Sequence, residues 1–138
     1  MKIEMGIVKM RLRLSNPVLS DLATLDCQAL ADTGALHLCI PEHVALQLKL
    51  KEQERLEVTL ADGSRRFVPY VGPIRVQFDN RQCFVGGMVM GDEVLLGAIP
   101  MEDMDIVVRP ITRDVAVNPA SPNMPMSIAK GFSSAASI

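Results

Sequence analysis

The sequence predicts an all-β protein with one or two short helices, arranged as a barrel or sandwich. Three observations carry that expectation. The N-terminal region alternates apolar and charged residues with period two, an Asp-Gly turn sits between β-prone arms, and short apolar runs recur at regular spacing between turn residues. At 138 residues the chain has room for one compact domain and a tail. A domain of this size buries roughly 68% of its unfolded surface, and with 49% apolar residues the material for a core is ample.

From Val8 to Leu14 the even positions Val8, Met10, Leu12 and Leu14 are apolar, while Lys9, Arg11 and Arg13 are charged, which describes a strand with one solvated face. A second apolar stretch, Leu22 to Ala31, reaches Asp32-Thr33-Gly34, and apolar character resumes at Leu36, Leu38 and Ile40. Two strands about a turn fit this pattern. Pro41 suits the first position of a short helix, and Glu42 complements the helix dipole there. Leu56, Val58 and Leu60, then Ala61-Asp62-Gly63-Ser64, then Phe67 to Tyr70 read as a projecting hairpin.

A further strand is expected where Ile74, Val76 and Phe78 alternate with Arg75 and Gln77. Asp79-Asn80 turns the chain, and Phe84 to Met90 returns. Leu95-Leu96-Gly97 precedes a second short helix over Pro100 to Met104, and Ile106 to Val108 and Val115 to Val117 read as short strands separated by Pro110. After Asn118 the composition changes to Pro, Ser, Ala and Met, with Lys130 the single charged side chain. The boundary is therefore expected near Pro119, with residues 1–119 as the domain and 120–138 as an extended or mobile tail.

Charge and cysteine usage exclude several function classes. Fourteen Lys and Arg against 16 Asp and Glu leave a net charge of -2, without the basic footprint of a nucleic-acid binder. Cys27, Cys39 and Cys83 are odd in number and widely spaced, so they form neither a disulfide framework nor a zinc ribbon, and a reducing compartment is the simplest expectation. Met1-Lys2-Ile3-Glu4 opens a charged segment unlike a secretory signal. The longest uncharged stretch, Val115 to Ala129, is broken by Pro119, Pro122 and Pro125 and is too short to span a membrane. A soluble cytoplasmic protein without nucleic-acid or membrane partners is expected.

Chemistry concentrates at Asp32-Thr33-Gly34-Ala35. Asp and Gly are turn formers in their own right, but the context here is more specific. The carboxylate ends a strand-like apolar stretch, the Asp62-Gly63 hairpin follows, and Leu95-Leu96-Gly97-Ala98-Ile99-Pro100 comes later. In these motifs and their order the sequence resembles the retropepsin-like aspartic proteases over roughly Glu4 to Pro119. Leu95 to Pro100 with the acidic helix after it, and the ending Val117-Asn118-Pro119, resemble the small prokaryotic single-domain members. His37 and the tail from Ala120 to Ile138 depart from the retroviral-type pattern.

The resemblance implies a closed half-barrel of the acid-protease fold that pairs as a symmetric homodimer, with strands near Ile106 to Val117 contributing to the interface. It implies a catalytic Asp32 supported by Thr33, Gly34 and Ala35. Thr33 would hydrogen-bond across the two-fold axis, and Gly34 would offer its N–H to the carboxylate. Asp62, Gly63 and Ser64 would belong to a substrate-covering flap, with Phe67 to Tyr70 competing for its tip. Hydrolysis of a peptide needs one group to activate water and another to protonate the carbonyl oxygen. Two carboxylates sharing a proton do both. A chain with one such tripeptide holds half a site, so the second Asp32 must come from an identical subunit. No cofactor or metal is called for, and the expected substrate is a peptide or protein.

Other readings of these residues are weaker. His37 and Cys39 point to one strand face, and His43 could approach them from the next element as a metal ligand, but no fourth ligand is evident. A Cys39–His43 nucleophilic pair lacks a recognisable orienting Asn or Asp. The three cysteines read as buried strand residues and the methionines mostly as core filler. The rival of a different class is a retropepsin-like dimer that binds peptides without cleaving them, because fold does not guarantee activity.

Overall fold

The computed structural model describes residues 7–126. In chain order its elements are β1 (Ile7–Ser15), β2 (Leu25–Asp32), β3 (Leu38–Ile40), α1 (Glu42–Gln47), β4 (Lys51–Thr59), β5 (Arg65–Phe78), β6 (Arg81–Val89), β7 (Val94–Leu96), α2 (Ala98–Met104), β8 (Ile106–Arg109) and β9 (Asp114–Val117). The protein is thus mostly β with two short helices.

Six of these strands close on themselves. The hydrogen-bonded order runs β1-β2-β7-β3-β6-β5, and β5 pairs again with β1 through Arg13↔Gln77, Leu14↔Val76 and Ser15↔Arg75. The result is a closed six-stranded mixed barrel, parallel at β2–β7 and β3–β6 and antiparallel elsewhere. Closure removes the free edges that an open sheet would expose. The ring is not in chain order: β7 lies between β2 and β3, so the loop joining β2 to β3 passes over the end of β7.

Alternation along β1 decides which side chains fill the barrel. Val8, Met10, Leu12 and Leu14 are buried, while Lys9, Arg11 and Arg13 are exposed, as the sequence predicts. Ala29, Ala31, Leu38, Ile40, Ile74, Val76, Val94 and Leu96 meet them in one core. Burial of a Val, Leu or Ile side chain is worth about 1.5–3 kcal/mol.

Several boundaries differ from expectation. The segments Phe67 to Tyr70 and Ile74 to Phe78 belong to one strand, β5, which shifts register against β6 between Val71 and Ile74. A β-bulge bends a strand without ending it. The N-terminal half of β5 pairs with β4 in the hairpin, and its C-terminal half closes the barrel. β2 starts at Leu25 because Leu19 and Leu22 are taken up in turns, through Leu19 N–H to Asn16 O and Leu22 N–H to Leu19 O. Pro41 is the N-cap of α1, outside its first helical residue.

The chain after β9 folds back on the barrel end. Asp105 accepts hydrogen bonds from Asn118 Nδ2 at 3.0 Å, from the Ser121 hydroxyl and from the Met126 N–H at 2.9 Å. The buried Arg81 donates to the Ser121 carbonyl, and Asn80 Nδ2 donates to the Pro122 carbonyl at 3.0 Å. Of the expected 120–138 tail, residues 127–138 lie outside the described residues. Among the described residues no helix is long and apolar enough to cross a membrane.

Candidate functional site

Asp32 is the last residue of β2 and is half-buried. The next residues turn sharply: Ala35 N–H donates to the Asp32 carbonyl at 3.2 Å, and Gly34 N–H donates to Asp32 Oδ1 at 2.9 Å. Gly34 suits that arrangement because a Cβ there would stand 3.2 Å from the same oxygen. Among the described residues Oδ2 receives no hydrogen bond, so one carboxylate oxygen is held by the loop and the other is available.

The loop is clamped from its far side by α2. The first N–H groups of a helix have no partner within it. Here Ala98 N–H donates to the Ala35 carbonyl at 2.8 Å and Ile99 N–H to the Leu36 carbonyl at 2.9 Å. The third helical residue is Pro100, which has no N–H to satisfy. This explains why α2 begins at Ala98 rather than at Pro100 as the sequence suggests. Gly97 allows the approach: a Cβ there would lie 2.5 Å from both the Leu36 carbonyl carbon and the His37 carbonyl oxygen.

The strand pairings put a row of apolar side chains on the same outer face as Asp32. Leu30, two residues before Asp32, pairs with Leu95; Leu95 pairs with Cys39, Cys39 with Met88, and Met88 with Tyr70. Cα partners on neighbouring strands share a face, as do residues i and i+2. All five are half-buried rather than buried. The row runs around the barrel from the carboxylate to the foot of the β4–β5 hairpin.

That hairpin turns at Leu60 to Ser64, closed by Leu60 N–H to Ser64 O at 2.8 Å and Gly63 N–H to Leu60 O at 2.9 Å. Gly63 has φ +84°, a conformation in which a side chain is strained. The Asp62 carboxylate accepts from the Ser64 N–H at 2.9 Å and from the Ser64 hydroxyl at 2.5 Å, and these bonds hold it below its ordinary value. Asp62, Gly63 and Ser64 therefore form the hairpin tip, while Phe67 to Tyr70 lie along β5. All three tip residues are exposed.

Thr33 and Gly34 are exposed and Ala35 is half-buried. Beside them two large apolar side chains face outward, Leu36 at 62% and Ile99 at 45% exposure. His37 closes the loop and stands next to Tyr70. His37, Cys39 and His43 do not form a metal-binding group: among the described residues no cluster of three or more His, Cys, Asp or Glu could hold an ion.

The expectation of three buried cysteines holds only for Cys83, whose thiol burial pushes up to about 12. Cys27 and Cys39 are half-buried, and desolvation raises both. Cys39 belongs to the outer row rather than to the core. The legible signal was continuity: Leu38-Cys39-Ile40 and Val94-Leu95-Leu96 are unbroken apolar runs, which strands apolar on both faces require. Which residues they would meet depended on strand order. No protein-family model matches this chain, and no curated protein matches it.

Proposed function

We propose that this chain is one protomer of a homodimeric aspartic endopeptidase of retropepsin type, with a dyad formed by Asp32 of two identical subunits. The observation that carries this reading is the setting of Asp32. A half-buried carboxylate ends a barrel strand, one oxygen is held by Gly34 N–H and the other is available, and an apolar row extends from it along the same face. Such a row suits the apolar side chains of an extended peptide. Leu36 and Ile99 flank the loop with exposed apolar surface of the kind a second copy would cover.

Two carboxylates about 3 Å apart cannot both ionise, so the pair holds one proton. The ionised member takes a proton from water as the water oxygen bonds to the peptide carbonyl carbon. The protonated member gives its proton to the carbonyl oxygen. As the diol collapses, one of its hydroxyl protons passes to the ionised aspartate and the C–N bond breaks. The departing amine takes the proton of the protonated aspartate, so the dyad again holds one proton. Thr33 supports the loop by hydrogen-bonding across the two-fold axis, and the hairpin tipped by Asp62, Gly63 and Ser64 closes over the substrate as an added strand would.

The test is digestion of a diverse peptide mixture by wild type and Asp32→Asn, read by mass spectrometry across about pH 4 to 7. New termini produced by wild type alone, with apolar residues beside the cleaved bond, support the reading. A sample shown to be dimeric that yields none points to a peptide-binding module instead.

A further inference from the structure

His37 and Tyr70 meet edge to face, with ring centroids 6.3 Å apart and planes at 74°, an arrangement favoured between ring systems. The two residues come from different parts of the site. His37 ends the loop that begins at Asp32, and its carbonyl lies against Gly97. Tyr70 lies at the foot of the β4–β5 hairpin, paired with Glu54 on β4 and Met88 on β6.

Two irregularities coincide at that foot. β5 shifts register against β6 between Val71 and Ile74, and β4 shifts against β5 between Glu52 and Glu54. Gln53, within the second shift, donates from Nε2 to the Gly72 carbonyl at 3.0 Å and so ties the two together. Paired bulges make this the place where the ribbon changes direction relative to the barrel. Tyr70 also has a fixed seat: a Cβ at Gly86 would lie 2.3 to 2.5 Å from its Cζ, Cε2 and hydroxyl oxygen, so the ring occupies the space a side chain would need.

Resting on the endopeptidase reading, we propose that Tyr70 and His37 are positioning residues whose contact sets the angle of the hairpin relative to the Asp32 loop. The contact bridges the element that carries the carboxylate and the element that covers substrate, beside the point where the latter bends. Losing it lowers the fraction of molecules with the hairpin placed to close, and apparent affinity falls with that fraction. Neither residue touches the reacting atoms.

The chain has one tyrosine and no tryptophan, so tyrosine emission reports Tyr70 alone. The experiment compares His37→Leu, Tyr70→Leu and Tyr70→Phe with wild type by three readouts: emission where the tyrosine remains, amide exchange, and KM against kcat on a cleaved peptide. In His37→Leu the emission changes. In both Leu variants exchange in 54–59 and 65–70 rises about two- to tenfold, the range expected for losing one ring pair. Exchange in β1 and β2 stays as in wild type, and in His37→Leu, which leaves the apolar row intact, KM rises while kcat holds. Tyr70→Phe keeps the ring, and its hairpin exchange matches wild type. Unchanged hairpin exchange in His37→Leu, or a rise shared equally by β1 and β2, overturns the proposal. If wild type cleaves nothing, the endopeptidase reading falls on that result, while exchange and emission still decide whether this contact holds the hairpin.

Discussion

The carbonyl carbon of Leu36 lies where a Cβ on Gly97 would come within 2.5 Å of it. Two backbones therefore touch at the crossing of the β2–β3 loop over the end of β7, and the loop that carries Asp32 is fixed by the missing side chain of a residue on another element.

Gly97→Ala must push that loop away, and backbone cannot yield as a flexible side chain can. We expect a loss of about 3 kcal/mol or more in a urea unfolding series. Gly63→Ala at the hairpin tip meets no atom within 4 Å and carries only the strain of its φ of +84°, about 1–2 kcal/mol. If the two variants unfold at the same midpoint, the crossing is looser than described.

Asp32→Asn keeps the oxygen that accepts from Gly34 N–H and removes the charge. The unfolding midpoint should stay within about 0.5 kcal/mol of wild type, while peptide cleavage falls by at least about 100-fold. Preserved cleavage in this variant would show that catalysis lies elsewhere.

A site shared between subunits is lost on dissociation. Specific activity should fall as the protein is diluted through its dimer dissociation constant, and sedimentation at the same concentrations should show monomer. Specific activity that stays constant while sedimentation reports only monomer contradicts a shared dyad.

Asp105 is held at about 2 by hydrogen bonds from Ser121, Asn118 and the Met126 N–H, against about 3.9 for an unconstrained aspartate. A depressed carboxylate favours the fold at pH above its unfolded value, and that contribution is lost as pH falls toward the folded value. Protection of the amides in 118–126, measured against their intrinsic exchange rate, should therefore fall between about pH 4 and pH 2, before protection in β1 and β2 does. Asp105→Asn should exchange fast in this segment at every pH. An unchanged profile in the variant would remove Asp105 as the fastening.

Thiol labelling should follow burial. Cys83, pushed up to about 12 by desolvation with a further contribution from Asp103, should stay unmodified in the native protein at neutral pH, because the thiolate is the reactive form. Half-buried Cys27 and Cys39 should label first, though more slowly than an unconstrained thiol. Labelling of Cys39 fills the apolar row and should block peptide cleavage, whereas labelling of Cys27, on the opposite face, should not.

The sequence by itself determined most of the elements and singled out Asp32 as the candidate carboxylate. Period-two alternation placed β1 almost to the residue, because one face of that strand meets the core and the other meets water. Asp62-Gly63 located a hairpin because a Gly at φ +84° serves a tight turn. Asp32 stood out because Asp-Thr-Gly-Ala, the Asp62-Gly63 hairpin and Leu95 to Pro100 follow one another in an order that resembles the retropepsin-like aspartic proteases. What tertiary structure decided is which strands are neighbours. Placing β7 between β2 and β3 joined Leu30, Leu95, Cys39, Met88 and Tyr70 into one row, laid the Asp32 loop across Gly97, and brought His37 to Tyr70. None of this was legible locally, since alternation tells each strand which side chains share a face but not which strand lies beside it. That order is settled by closure of the ring, where all six strands must pair and fill a common interior at once.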